Sequence, residues 1–228
     1  MEIIELKPPH PWSRQRRAKI WDFRASGVLQ LPTIHQRKLG RLEIVLGDRR
    51  SRREFKVPLT LQQLGDVLWH SYRVRRTARM DGGFLWESRP SPSGGGCYPI
   101  QVLVLRAAFL PRSLLLYDPN YHVFGVRDLA GDRLVMRCVG EVEQCLKAGK
   151  GTIFWFVADL GRSGRRYRNP ESLAWRDSGA LLATIGLVAG GMGLDWCGVG
   201  LHEIPSLRKF LKLEDWVIGV GGCIISGR

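Results

Sequence analysis

Ser91-Pro92-Ser93-Gly94-Gly95-Gly96-Cys97-Tyr98-Pro99-Ile100-Gln101-Val102-Leu103-Val104-Leu105 is the stretch around which the rest of the chain can be read. Its first half is a hydroxyl-bearing glycine loop, and its second half is an apolar strand rich in branched residues. Without a Cβ, a glycine backbone can approach a flat or anionic ligand closely, and successive N–H groups can converge on negative charge. The strand behind would hold the loop in place. The same residues could equally form a plain surface connection. The choice depends on what the remainder of the chain brings to the loop.

Upstream, Arg49-Arg50-Ser51-Arg52-Arg53 sets four arginines and a serine within five residues. In an extended segment residues 49, 51 and 53 share one side. Planar guanidinium forks suit phosphate oxygens, and Ser51 can add a hydroxyl or amide donor. A solvated basic surface is the bland alternative. Leu61, Leu64, Val67 and Leu68 make the apolar stripe of a helix over 58–69, with Thr60 as its N-cap. Residues 70–90 read as a long basic and aromatic loop carrying Arg73, Arg75, Arg76 and Arg79. Residues 1–13 read as a proline-rich extended arm, and 14–40 as irregular or partly helical.

Downstream, residues 114–124 read as strand, Asp-Pro-Asn turn and strand, and 138–147 as a short helix. The run Thr152–Ala158 is apolar without alternation, the pattern of a fully buried central strand. Residues 161–170 form another basic loop. A long helix is expected from about Ser172 to Met192, with Glu171 near its positive end. Its second half is apolar on nearly every side, so it must be buried all round, in a domain centre or against a second copy. A glycine-bearing turn at 193–201, a short helix at 205–211 and a last strand at 216–222 complete the chain.

The 228 residues, 44% hydrophobic and 25% charged, suffice for a full core. The net charge of +14 is uneven: residues 1–80 hold 18 Lys and Arg against 7 Asp and Glu, a net +11, and the rest carry +3. The front third should therefore attract an anionic partner: nucleic acid, a phosphorylated cofactor or an acidic protein. No apolar run reaches the roughly 18 residues that span a bilayer, and the first residues lack the pattern of a secretory signal. Five cysteines, at 97, 138, 145, 197 and 223, form no CxxC pair and read as reduced thiols of a cytoplasmic protein. His10, His35, His70, His122 and His202 have no metal-ligand spacing, and His202-Glu203 reads as a surface pair.

Taken together, RRSRREF, RPSPSGGGCYPIQVLVL, WRDSGALLATIGLVAGGMGLDWCGVG and VIGVGG resemble, in order and spacing, the nitroreductase fold, and most closely its SagB-type dehydrogenase branch. The resemblance covers about residues 47–228, leaving 1–46 as an N-terminal extension. It implies an α+β fold, a central mainly antiparallel sheet flanked by helices, and a homodimer built on the long central helix. It also implies an FMN-dependent oxidoreductase with sites at the dimer interface. By position, Arg49, Ser51 and Arg53 match the residues that hold the FMN phosphate. Pro92, Ser93, Gly94 and Gly96 match a loop that reaches the flavin from the other subunit, and Gly96 falls where ordinary nitroreductases carry asparagine. Val199 and Gly200 match the turn whose backbone amide faces flavin N5, and the helix at 172–192 matches the dimer helix.

Three positions depart from the family pattern. The turn reads CGVG, without the acidic residue common in nitroreductases. After the last strand only Arg228 is available to complete the phosphate site. Where azoline dehydrogenases carry a Lys-Tyr pair, this chain has Arg166-Tyr167, and arginine stays protonated, which makes it a poor base. Tyr167 or Tyr98 is left as a candidate proton donor. The resemblance thus implies hydride transfer between flavin and an unidentified small-molecule or peptide-derived substrate, with NAD(P)H or the substrate itself as electron donor. The alternative is a catalytically degenerate scaffold subunit bound to an acidic protein partner. No recognised nucleic-acid module is present.

Overall fold

The computed structural model describes residues 6–34, 39–80 and 85–228. His35, residues 1–5 of the expected arm and 81–84 of the 70–90 stretch lie outside them. The order is β1 (His10–Pro11), β2 (Gly27–Gln30), α1 (Leu42–Asp48), α2 (Leu61–Tyr72), β3 (Arg76–Arg79), β4 (Leu85–Ser88), β5 (Ile100–Leu105), β6 (Ser113–Asp118), β7 (Val123–Asp128) and α3 (Asp132–Glu143). It continues with β8 (Thr152–Asp159), α4 (Leu160–Gly164), β9 (Tyr167–Arg168), α5 (Glu171–Gly191), β10 (Asp195–Val199), α6 (Pro205–Leu211) and β11 (Val217–Ser226).

Seven strands form one antiparallel sheet in the order β10-β11-β8-β5-β6-β7-β2. β8 is an interior strand between β11 and β5, and all eight of its residues are buried, as its unbroken apolar run requires. α2 and α5 contribute Leu64, Val67, Leu68, Leu181 and Ile185 to the core of one face. α3 and α6 contribute Cys138, Val142, Leu207 and Leu211 to the core of the other. The fold is α+β with a central antiparallel sheet flanked by helices, as expected.

α2 begins with a capping box. The Gln63 N–H donates to Thr60 Oγ1 at 3.1 Å, and the Thr60 N–H donates to Gln63 Oε1 at 3.0 Å.

The elements differ from expectation in six places, mostly where pairing is non-local; one is the turn expected at 193–201, where Asp195–Val199 form β10 and pair with β11. Within 70–90, expected as a loop, β3 and β4 pair as an antiparallel hairpin with all four β3 residues exposed, so no apolar alternation marks it. The helix expected at 138–147 runs from Asp132 to Glu143. Its apolar stripe begins at half-buried Leu134 and Val135 and continues through Cys138 and Val142. The last strand runs past its glycines to Ser226, because Cys223 to Ile225 pair with β8 beyond an irregularity between Gly219 and Gly222. Gly27–Gln30, in the stretch read as irregular, is the edge strand beside β7.

The basic loop 161–170 is the sixth case. It holds the short α4, where the Gly161 N–H donates to Asp159 Oδ1 at 3.0 Å, and β9, which pairs with His10–Pro11 of the arm. The arm is fastened there: the Trp12 N–H donates to the Arg166 carbonyl, the Arg16 N–H to that of Arg165, both at 2.9 Å, and Trp12 Nε1 to that of Gly164 at 3.0 Å.

Candidate functional site

The glycine loop is tied to the first half of α5 by one carboxylate. Asp177, 7% exposed, accepts the Ser93 hydroxyl at Oδ2 (2.5 Å) and the Gly94 N–H at Oδ1 (2.9 Å). The Ser93 oxygen in turn accepts the Tyr98 N–H at 2.9 Å, closing the loop onto the start of β5. Burial pushes the Asp177 carboxyl above its ordinary range, and the two bonds from the loop oppose that rise.

Close approach explains the glycines. Gly95 and Gly96 have φ of 62° and 67°, the left-handed region. A Cβ on Gly95 would lie 2.3 Å from Tyr167 Oη, and one on Gly96 2.5 Å from Trp86 Cδ1. A Cβ on Gly94 would meet Leu173 Cδ2 at 2.7 Å. The Gly95 carbonyl accepts Arg166 Nη1 at 2.9 Å. Arg166 and Tyr167 are therefore packed on the loop, and Pro92 enters it.

The arginine segment lies elsewhere. Arg49, Arg50 and Arg52 line a cavity of about 270 Å³ with Arg228. Gly186, Gly190 and Gly191, in the second half of α5, line the same cavity. Asp195 Oδ1 is shared by Arg228 Nε at 3.0 Å and Arg52 Nε at 3.3 Å. Arg49, Ser51 and Arg53 are exposed; Arg49 reaches the cavity, whereas Ser51 and Arg53 are not among its lining residues. A cation-rich cavity of this size suits a phosphate with part of a chain, and falls short of a pocket for a whole nucleotide. Val199 and Gly200 stand at the far end of β10 from Asp195, about 13 Å along the strand at the usual rise. Val199 is buried, whereas Gly200 is exposed and a Cβ there would meet no atom within 4 Å.

The loop and the cavity thus sit on opposite halves of α5. From Asp177 to Gly186 is nine residues, or about 13 Å of helix. Gly179, Ala183 and Gly190 of this helix are exposed, and Leu187 is half-buried. The helix expected to be buried all round therefore leaves a narrow small-residue stripe open within one chain.

Sequence reasoning missed Asp177, Asp195, Leu173 and Trp86. The signal for Asp177 was present: a carboxylate in a helix otherwise apolar on most sides needs buried donors. Glu203 and His202 have structural partners. Glu203 Oε1 accepts Arg208 Nη2 at 3.1 Å and the Gly219 N–H at 3.2 Å, while the His202 ring meets Trp175 edge-on. Tyr98 has a structural partner too, its hydroxyl oxygen accepting the Arg89 N–H at 3.0 Å. Burial pushes the Cys97 thiol up to about 11, so it stays protonated near neutrality. Among the described residues no group of three or more His, Cys, Asp or Glu is arranged to hold a metal ion, and no helix is long and apolar enough to cross a membrane.

An antiparallel sheet with a long helix packed on one face is a fold seen in solved structures. A protein of Ralstonia eutropha JMP134 assigned as a nitroreductase is 23% identical, with a TM-score of 0.64 over 97% of this chain and 98% of that one. A protein of Anabaena variabilis, also assigned as a nitroreductase, is 18% identical, with a TM-score of 0.62 over 93% of this chain and 41% of that one. A chain of the E. coli microcin synthetase McbBCD complex, with truncated pro-MccB17 bound, is 15% identical, with a TM-score of 0.57 over 92% and 78%. The model of the Nitroreductase family matches residues 46–228, and the chain belongs to that family. Members are generally FMN-dependent oxidoreductases and often dimers. No curated protein matches the chain.

Proposed function

We propose that this protein is an FMN-dependent oxidoreductase of the SagB-type branch that works as a homodimer, with two composite flavin sites. The reading rests on one observation: the glycine loop and the arginine cavity occupy opposite halves of α5 in the same chain. Two copies packed through their exposed α5 stripes, antiparallel about a two-fold axis, would bring the loop of one against the cavity of the other. Small residues at 179, 183 and 190 permit that approach.

In this arrangement Arg49 and Arg228 would hold the phosphate, with Arg50 and Arg52 adding counter-charge, while Ser51 and Arg53 stand outside the cavity's lining. Pro92, Ser93, Gly94 and Gly96 close the site from the other subunit, held by Asp177. Val199 and Gly200 present a backbone donor to the flavin ring. FMN, when bound, supplies the hydride chemistry; the chain supplies binding, orientation and electrostatics. Tyr167, against Gly95, is the candidate proton donor, and the adjacent Arg166 stays charged and braces the loop carbonyl. The substrate is a small or peptide-derived molecule, with NAD(P)H or the substrate as electron donor, in a cytoplasmic setting. Residues 47–228 form the nitroreductase-like domain, and 1–46 are an extension to it.

A second reading, a catalytically degenerate scaffold that binds an acidic protein through residues 1–80, draws support from Asp195, which already occupies two of the cavity's arginines. Absorption spectroscopy of the purified protein separates the two. Flavin bands near about 370 and 450 nm, lost on Arg49→Ala with Arg228→Ala, support the enzyme. No bands after reconstitution with FMN would leave the scaffold.

A further inference from the structure

A second cavity, of about 360 Å³, shares no lining residue with the arginine cavity. It lies between residues 21–25, the start of β5, the end of β6, the start of β7 and Arg162 of α4. Three guanidinium-bearing residues line it: Arg24, Arg89 and Arg162.

Their donors are only partly used, although Asp22 and Asp118 also line the cavity. Arg89 is 3% exposed and is held between the rings of Tyr72 and Tyr98, its guanidinium carbon 4.5 Å from each centroid. Glu87 Oε2 accepts its Nε at 2.9 Å and its Nη2 at 2.5 Å. Arg162 Nε is buried with no hydrogen-bond partner among the described residues. The Asp159 Oδ2 oxygen is 3.8 Å away, beyond hydrogen-bond reach, and already accepts the Trp21 N–H at 3.0 Å. The two carboxylates on the cavity wall are also engaged by backbone. Asp22 Oδ1 accepts the Arg24 N–H at 3.0 Å, and Asp118 Oδ1 accepts the Asn120 N–H at 2.8 Å.

The remaining walls include Trp21, Phe23 and Tyr117. Arg24, exposed at the rim, has φ of 54°, a left-handed conformation that costs a non-glycine residue and collects at functional sites. The volume is that of a small-molecule pocket.

We propose that this cavity binds a small organic anion, a carboxylate on a flat apolar body. Arg162 and Arg24 take the carboxylate, to which a guanidinium fork is matched. The aromatic walls take the body. A bare inorganic anion leaves those walls against water, and a neutral ring offers the guanidinium groups no charged acceptor. The site is independent of the flavin reading, because none of its lining residues belongs to the loop or to the arginine cavity.

The test titrates the intact protein with benzoate, benzamide and inorganic phosphate, using calorimetry and ligand-observed NMR. Benzoate is expected to bind saturably with a Kd of about 1 mM or tighter, and the other two at least about tenfold more weakly. Arg162→Gln and Arg24→Gln should each weaken benzoate about tenfold, with ligand-free thermal unfolding unchanged for Arg24→Gln. Because Arg24 is exposed, that variant keeps the test decisive if Arg162→Gln fails to fold. Benzamide binding as tightly as benzoate, phosphate preferred over benzoate, benzoate affinity indifferent to Arg24→Gln, or no saturable benzoate binding would each overturn the assignment.

Discussion

Asp177→Ala is the perturbation that separates a held loop from a mobile one. In the wild type one buried carboxylate receives the Ser93 hydroxyl at 2.5 Å and the Gly94 N–H at 2.9 Å. A hydrogen bond to a charged group contributes roughly 1.5–3 kcal/mol, and truncation also leaves its donors without a partner. Against this, the carboxyl is raised by burial, so its removal recovers part of a desolvation cost. The net expectation is a loss of about 3 kcal/mol, which for a chain of this size lowers the unfolding midpoint by roughly 6–12 °C.

Asp177→Asn should lose about half as much, because it keeps one acceptor for the Gly94 N–H. The assay is urea unfolding with Ser93→Ala, Asp177→Ala and the double variant, so that the coupling energy is read directly. Flavin affinity measured on the same proteins should fall with the loop. A coupling near zero, or Asp177→Ala within about 0.5 kcal/mol of wild type, would refute the idea that this carboxylate organises the loop.

Three further outcomes are expected. Gly96→Val forces a side chain into the space of Trp86 at a left-handed backbone position, and Gly94→Val drives one against Leu173; both should abolish FMN binding while leaving the dimer folded, checked by flavin absorbance and size-exclusion chromatography. Ala183→Glu, on the exposed stripe of α5, should give monomers without flavin in analytical ultracentrifugation; an intact flavin-loaded dimer would contradict the composite site. The third concerns His122, which burial lowers from 6.5 to about 4, so the folded state resists a proton that the unfolded chain accepts. Its contribution is present above pH 6.5 and is lost as pH falls toward 4, up to about 3 kcal/mol. Raised Asp159 and Asp177 act in the opposite direction, losing stability as pH rises through their elevated values. The difference between wild type and His122→Asn isolates the histidine, asparagine being tolerated at its φ of 54°; parallel pH profiles would exclude it.

What the sequence determined by itself was local. Thr60 and Gln63 carry their capping box three residues apart, and Thr152–Ala158 shows by its unbroken apolarity that it is covered on both faces. The order of the four motifs pointed to the family, because loop, strand and helix periodicities survive without tertiary information. The pairing of Arg76–Arg79 with Leu85–Ser88 and that of His10–Pro11 with Tyr167–Arg168 were illegible, since neither has an apolar face of its own and each depends on what lies beside it. Only the tertiary structure decided where the chemistry-bearing residues stand relative to one another. Arg52 and Arg228, far apart in the chain, converge on Asp195, whereas Ser93 and Gly94 converge on Asp177, about 13 Å along α5 from Gly186 of the cavity wall. That separation is set by the pitch of one rigid helix packed on one sheet, a distance the order of residues along the chain does not contain.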